Sequence, residues 1–191
     1  MSVARILVAG PIRIGRWLKR WGYYRTSTKA IGPGTKIGDG VVLFGGTGVC
    51  NDGIVIGANC HIYDCCRLVV DNAGPNSGIS IGNNVAINYN CYIEGSGGIE
   101  IGDDTIIGPN VVILSSSHVI DKPDRLIRES GKIYARTVVG KNVWIGSNVC
   151  MVAGVEIGDG CVIGAGSVVT KSFPPHSVIV GAPARLLRTR Q

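Results

Sequence analysis

Large aromatic residues are scarce in this 191-residue chain: it has two Phe, and Phe, Trp and Tyr together make up 6%. A core of stacked rings is therefore excluded, and 29 Gly point instead to many tight corners around small aliphatic side chains. No apolar run is long enough to span a bilayer, and no signal peptide with a cleavage site is visible, so the expected location is cytoplasmic. The seven cysteines are odd in number and lack paired metal spacing, which fits reduced packing residues better than disulfides or a zinc site. Acidic residues are outnumbered, 13 against 19 basic, giving a net charge of +6. The excess sits at the two ends, in Arg13, Arg16, Lys19 and Arg20 and again in Arg185, Arg188 and Arg190, where it could draw in phosphates or an anionic lipid surface. No basic face interleaved with aromatics runs along the chain, so nucleic acid is not an expected partner.

What the chain does have is a period of six. Val139, Ile145, Met151, Ile157, Ile163 and Val169 recur at that spacing, with Gly following at 140, 146, 158 and 164. No α-helix has this period, whereas short strands separated by sharp corners do, as in a parallel β-helix of hexapeptides. The aliphatic leads group in threes: Ile37-Leu43-Val49, Ile56-Ile62-Leu68, Ile81-Ile87-Ile93, Ile101-Ile107-Ile113, Val139-Ile145-Met151 and Ile157-Ile163-Val169. Each group reads as one coil of a three-sided prism. Six coils stacked at ~4.8 Å give a height of roughly 30 Å.

Irregularities fall between groups: one residue before Ile56, seven before Ile81, two before Ile101 and twenty before Val139. All insertions thus leave one edge of the prism, and the charged one, residues 119–138, is long enough to suggest function. The expected organisation is all-β. Residues 1–30 form a basic N-terminal cap able to rest weakly on a membrane surface, 31–173 the β-helix with its protruding loop, and 174–191 a C-terminal extension.

Strand alternation points Cys60, Cys66, Cys91 and Cys161 inward, and His61, His118, Trp144 and Cys150 outward; Asn88 follows a lead and also faces out. The three histidines stand two coils or more apart and cannot meet at ~2 Å from one ion, so no metal site is expected.

The segments VVGKNVWIGSNVCMVAGVEIGDGCVIGAGSVVTK and PPHSVIVGAPARLLR, together with SSSHVID and AINYNCYIEG, resemble the hexapeptide-repeat acyltransferases. The similarity is greatest to the branch of galactoside, maltose and polysaccharide O-acetyltransferases, and runs from about Ile79 to Arg188. It implies a left-handed coil, a homotrimer with active sites between subunits, acetyl-CoA as acyl donor and a saccharide acceptor in surface-polysaccharide synthesis. It also implies roles. His118 would be the general base that takes the proton of the acceptor hydroxyl, and Asn88 would position that hydroxyl. Trp144 would lie against the CoA arm, and the Ser147 backbone N–H would stabilise the oxyanion. Ala165, Thr170 and Lys171 would line the CoA groove, with Arg185 or Arg188 near its phosphates. The chain departs from the pattern at SGK, where Lys132 stands in place of an acid. Asp121 and Glu129 are then the candidate acidic partners of His118.

On the prism, Asn88 just past the first corner of its coil and His118 at the end of the next coil's third side are about one side, ~16 Å, apart. Both can serve one acceptor only if the site lies between chains. The competing readings are N-acetylation of a nucleotide-linked amino sugar and a non-catalytic coil-stack scaffold. A covalent role for the outward Cys150 is the least favoured.

Overall fold

The computed structural model describes residues 28–45, 53–71 and 74–191, so Val49 and the basic residues Arg13, Arg16, Lys19 and Arg20 lie outside the described residues. The period of six becomes three parallel sheets wrapped around one core. Each coil contributes one short strand to each sheet, and the stack is a left-handed parallel β-helix. The first face stacks Thr28–Ile31, Ile54–Ile56, Ile79–Ile81, Ile99–Ile101, Thr137–Val139 and Glu156–Ile157. The second stacks Lys36–Ile37, His61–Ile62, Ala86–Ile87, Ile106–Ile107, Trp144–Ile145 and Val162–Ile163. The third stacks Val42–Gly45, Arg67–Val70, Tyr92–Glu94, Val112–Leu114, Cys150–Met151 and Val168–Val169. Among the described residues no helix is long and apolar enough to cross a membrane.

The lead residues fill the interior. Ile62, Ile87, Ile107 and Ile145 are fully buried directly above one another, and the four inward cysteines are buried among them. The neighbouring Cys91 lowers the Cys66 thiol, while Cys66 and burial push the Cys91 thiol up, which keeps Cys91 a protonated filler.

Sharp corners need a residue in the left-handed region. Asn59, Asn84, Asp104 and Asn142 supply it between the first and second faces. Asn90, Asn110, Asn148 and Gly166 supply it between the second and third. These are residue types that tolerate positive φ through a short polar side chain or none. The glycine that follows every first-face lead and four of the second-face leads, Ile37, Ile107, Ile145 and Ile163, answers a different demand, close stacking. A Cβ on Gly146 would lie 2.6 Å from the Ala165 nitrogen of the next coil.

Three expectations change. The first coil runs Ile31-Ile37-Leu43, because Ile31 pairs with Ile56, Ile37 with Ile62 and Leu43 with Leu68. The step of six from Leu43 to Val49 therefore does not mark a coil, and the gap before Ile56 is as long as the one before Ile81. The stack also continues past residue 173. Phe173 bridges to Ile157, Ser177–Val180 adds to the second face, and Arg185–Thr189 turns back antiparallel to cover that edge. Finally, the long insertion leaves earlier than residue 119. After Val112–Leu114 the chain peels off as a hairpin of Ser116–His118 and Lys132–Tyr134, with a single 3-10 turn at Ile127–Glu129.

Candidate functional site

The corner between the second and third faces carries a groove of about 360 Å³. Its floor is the glycine column Gly108, Gly146 and Gly164, where the absence of side chains leaves the backbone open. One wall is the outward column Ile106, Trp144 and Val162, and the other is Pro109, Ser147 and Ala165. Asn88 closes the end towards the N-terminal coils. Ile106 and Trp144 are 50% and 57% exposed, large apolar groups left uncovered along a narrow trough.

The polar groups of this groove are unusual for the fold. On the corner between the first and second faces, three of the outward backbone N–H groups are capped by a side chain of the next coil. Ala58 donates to Asn83 Oδ1 at 2.8 Å, Asn83 to Asp103 Oδ1 at 2.8 Å, and Lys141 to Asp159 Oδ1 at 2.7 Å. At the groove the equivalent positions are Pro109, Ser147 and Ala165, and Ala165 offers no side-chain oxygen. Among the described residues the N–H of Ser147 has no acceptor, although Gly146 and Asn148 on either side both donate to backbone carbonyls. An N–H of this kind, directed to solvent in an apolar trough, can stabilise an oxyanion. Asn88 donates its Nδ2 to Ile107 O at 2.8 Å, and among the described residues its Oδ1 is a free acceptor.

The groove thus brings together Asn88, Trp144, Ser147 and Ala165. Arg185 pairs with Val180, and Val180 packs over Gly164, so the Arg185 backbone lies just beyond the groove's C-terminal end, with its guanidinium donating to Ala184 O at 2.9 Å. Arg188 lies on the same exposed strand, opposite Val178. Thr170 and Lys171 do not line the groove. They follow the third-face strand Val168–Val169, where the Lys171 ammonium stands 5.5 Å from the Phe173 ring centre.

His118 is exposed, but not as the end of a prism side. It sits in the hairpin opposite Lys132, beyond the third face. Asn88 stands at the second corner rather than just past the first, so the whole third face separates the two within one chain. Neither Asp121 nor Glu129 forms an ion pair with His118 among the described residues; Glu129 lies 3.9 Å from Arg128, and Lys132 is 4.0 Å from Asp71.

The acid that organises the hairpin is Glu94, which the repeat pattern did not single out. It is only 9% exposed. Its carboxylate accepts from the Ser96 N–H at 2.9 Å, the Ser115 N–H at 3.3 Å and the Ser116 hydroxyl at 3.1 Å. The last two belong to the segment that starts the hairpin, so this buried charge is satisfied by fixing where His118 departs. The signal was a carboxylate directly after the lead Ile93, where most coils carry a small or apolar residue.

Comparison with known proteins agrees with this geometry. Residues 136–171 match the family described as bacterial transferase hexapeptide (six repeats), and residues 78–115 the hexapeptide repeat of succinyl-transferase. The repeat region is thus similar to the hexapeptide-repeat transferases. Among particular relatives, the chain is 42% identical over 113 residues to the galactoside O-acetyltransferase of Escherichia coli K12, covering 59% of this chain and 54% of that protein. It therefore spans about half the length of the curated relatives it matches. A galactoside acetyltransferase solved in complex with coenzyme A superposes with a TM-score of 0.55 at 30% identity, over 85% of this chain and 65% of that one. AntD, an N-acyltransferase of Bacillus cereus solved with dTDP-4-amino-4,6-dideoxyglucose and coenzyme A, shares the fold with a TM-score of 0.71 at 24% identity, over 87% and 85%.

Proposed function

We propose that the chain is an acetyl-CoA-dependent O-acetyltransferase that acts on a sugar hydroxyl as a homotrimer. The observation that carries this reading is the apolar character of the third face. Its outward residues include Val42, Phe44, Val69, Tyr92, Val112, Leu114, Cys150 and Val168, with exposed Arg67 and the largely buried Glu94 the charged exceptions. The first face instead turns Ser80, Glu100 and Glu156 to solvent. A prism that buries one face against two copies of itself closes as a ring of three, in which the second corner of each chain meets the third corner of the next. The groove is at the second corner, and the His118 hairpin leaves the third. Packing of the third faces therefore carries His118 of one chain to the groove of its neighbour, and brings Thr170 and Lys171 with it.

In the mechanism, the pantetheine arm lies in the groove against Trp144, with its phosphates towards Arg185 and Lys171. His118 of the adjacent chain removes the proton as the acceptor oxygen, oriented by Asn88, attacks the thioester carbonyl. The Ser147 N–H receives the negative charge of the tetrahedral intermediate, which collapses with loss of the CoA thiolate. Transfer is direct, without an acyl-enzyme. The galactoside relatives support the donor and the sugar class, and the free Ser147 N–H supports the chemistry. The test is thiol release from acetyl-CoA with sugars and amino sugars as acceptors. Sugar-dependent release with an ester product is expected; release only with amines, or none with any acceptor, contradicts the reading.

A further inference from the structure

The first face carries a second and larger cavity, of about 460 Å³, that the transfer mechanism does not use. It opens beside the third corner, at the far end of the third face from the donor groove. Its floor is a column of glycines, Gly53, Gly78 and Gly98, each one residue before the stacked Ile54, Ile79 and Ile99. On one side stand Val55, Ser80 and Glu100, in register on successive coils. On the other stands Asn76, from the segment that leads into Ile79–Ile81. Arg136 closes the C-terminal end through an ion pair with Glu100.

The trough stays open because Gly98 has no side chain. A Cβ there would lie 2.7 Å from Asn76 O and 3.7 Å from Arg136 Cγ, so any larger residue would fill the space between the walls. The cavity spans four coils, about 14 Å along the stack, and its volume is ordinary for a small-molecule site. Its charge is balanced. The Arg136 and Glu100 side chains are 52% and 50% exposed, so each keeps polar atoms free for a ligand.

We propose that this cavity is a secondary saccharide site, which holds a neutral oligosaccharide away from the reacting atoms. Adjacent hydroxyls of a sugar ring donate and accept at neighbouring points. That suits a guanidinium, which only donates, fixed beside a carboxylate, which only accepts. An anion would meet Glu100 and a cation would meet Arg136, so the pair favours uncharged rings. The Asn76 amide and the Ser80 hydroxyl add partners of both kinds. The inference rests on the acetyl-transfer reading for the sugar class. In the ring of three, the third corner adjoins the groove of the next chain, so a saccharide held here lies alongside that groove. The acceptor class it implies is a chain of several rings rather than a single sugar.

The test is titration of the full-length protein, without acetyl-CoA, with maltotriose, cellotriose, galactotriose and mannotriose, and with trigalacturonate as the charged control. At least one neutral trisaccharide should bind the wild type, and more tightly than trigalacturonate. Ser80→Trp, which fills the trough, and Arg136→Ala, which removes the guanidinium, should each weaken that binding by about tenfold. Both should keep the wild-type affinity for acetyl-CoA and the wild-type rate of transfer to single-ring methyl glycosides. Arg136 is exposed, so its variant carries the test where Ser80→Trp does not fold. The proposal is overturned if no neutral trisaccharide binds, if trigalacturonate binds more tightly, or if the variants keep full trisaccharide affinity. A Ser80→Trp chain that elutes as a monomer on size exclusion would place the trough at a subunit contact and overturn it too. Because binding is read without the donor, failure of acetyl transfer and failure of this site give different results.

Discussion

The two tight corners of the prism are built from the same backbone and finished differently. At the first corner, Asn83, Asp103 and Asp159 each cap the N–H of the coil before. Lys141 adds an ion pair to Asp103 at 3.0 Å. The second corner is closed in the same way in its first coil, where Asp64 caps the Asp39 N–H at 2.8 Å, but its groove coils set Pro109, Ser147 and Ala165 where the caps would be. An edge left unclosed beside exposed Ile106 and Trp144, large apolar groups with nothing over them, is suited to a bound partner or ligand. The sharpest contrast is between equivalent residues: Asp159 closes Lys141, while Ala165 leaves Ser147 open.

The comparison can be broken by exchanging the two finishes. The largest effect expected is from His118→Ala, which removes the proposed base and should lower kcat by about 10²–10⁴-fold with an unchanged circular dichroism spectrum. Ala165→Asp should transplant the closed finish to the second corner, cap the Ser147 N–H and lower kcat by about 10²–10³-fold. The variant should melt at or above the wild-type temperature, since a donor has gained a partner. If it keeps full activity, the oxyanion role of Ser147 is wrong. The reverse exchange, Asp159→Ala, uncaps Lys141 and should lower the melting temperature by no more than about 3 °C, with kcat and KM unaltered.

The smallest effect is one of pH. The Asn83 N–H, then the Lys141 ammonium, hold the Asp103 carboxyl below its ordinary value, and Asp103 in turn raises Lys141 above its own. A lowered carboxyl stabilises the fold while ionised, and that contribution is lost as pH falls through its folded-state value. The raised lysine loses its contribution at the alkaline end. The melting-temperature difference between wild type and Asp103→Asn should therefore be present at neutral pH and shrink in acid. Both groups lie at the surface, so the difference should also shrink with added salt.

How much of this was readable beforehand depends on the kind of constraint. The prism was readable because each lead must fill the same interior slot, so Ile87, Ile107 and Ile145 repeat without interruption. The phase of the first coil was not, since Ile31 and Val49 both continue the step of six from Ile37 and Leu43, and only pairing to the next coil decides between them. The groove residues Asn88, Trp144, Ser147 and Ala165 came from resemblance, and the structure gathers these four. The hairpin root came from neither source. Glu94 acts through hydrogen bonds to Ser115 and Ser116 some twenty residues away, a tertiary arrangement with no period. The open corner was likewise hidden, because a missing cap is recognised only against the capped corner beside it.

Acetyl transfer by this mechanism requires His118 of one chain to stand against the groove of the next. His118→Ala chains and Ala165→Asp chains, each inactive alone, can be unfolded, mixed in equal amounts and refolded into trimers, and acetyl transfer measured. Random assembly should restore intact sites at about a quarter of the subunit boundaries, and activity to a similar fraction of wild type. Mixed trimers, verified by mass, that stay inactive would contradict a site shared between chains.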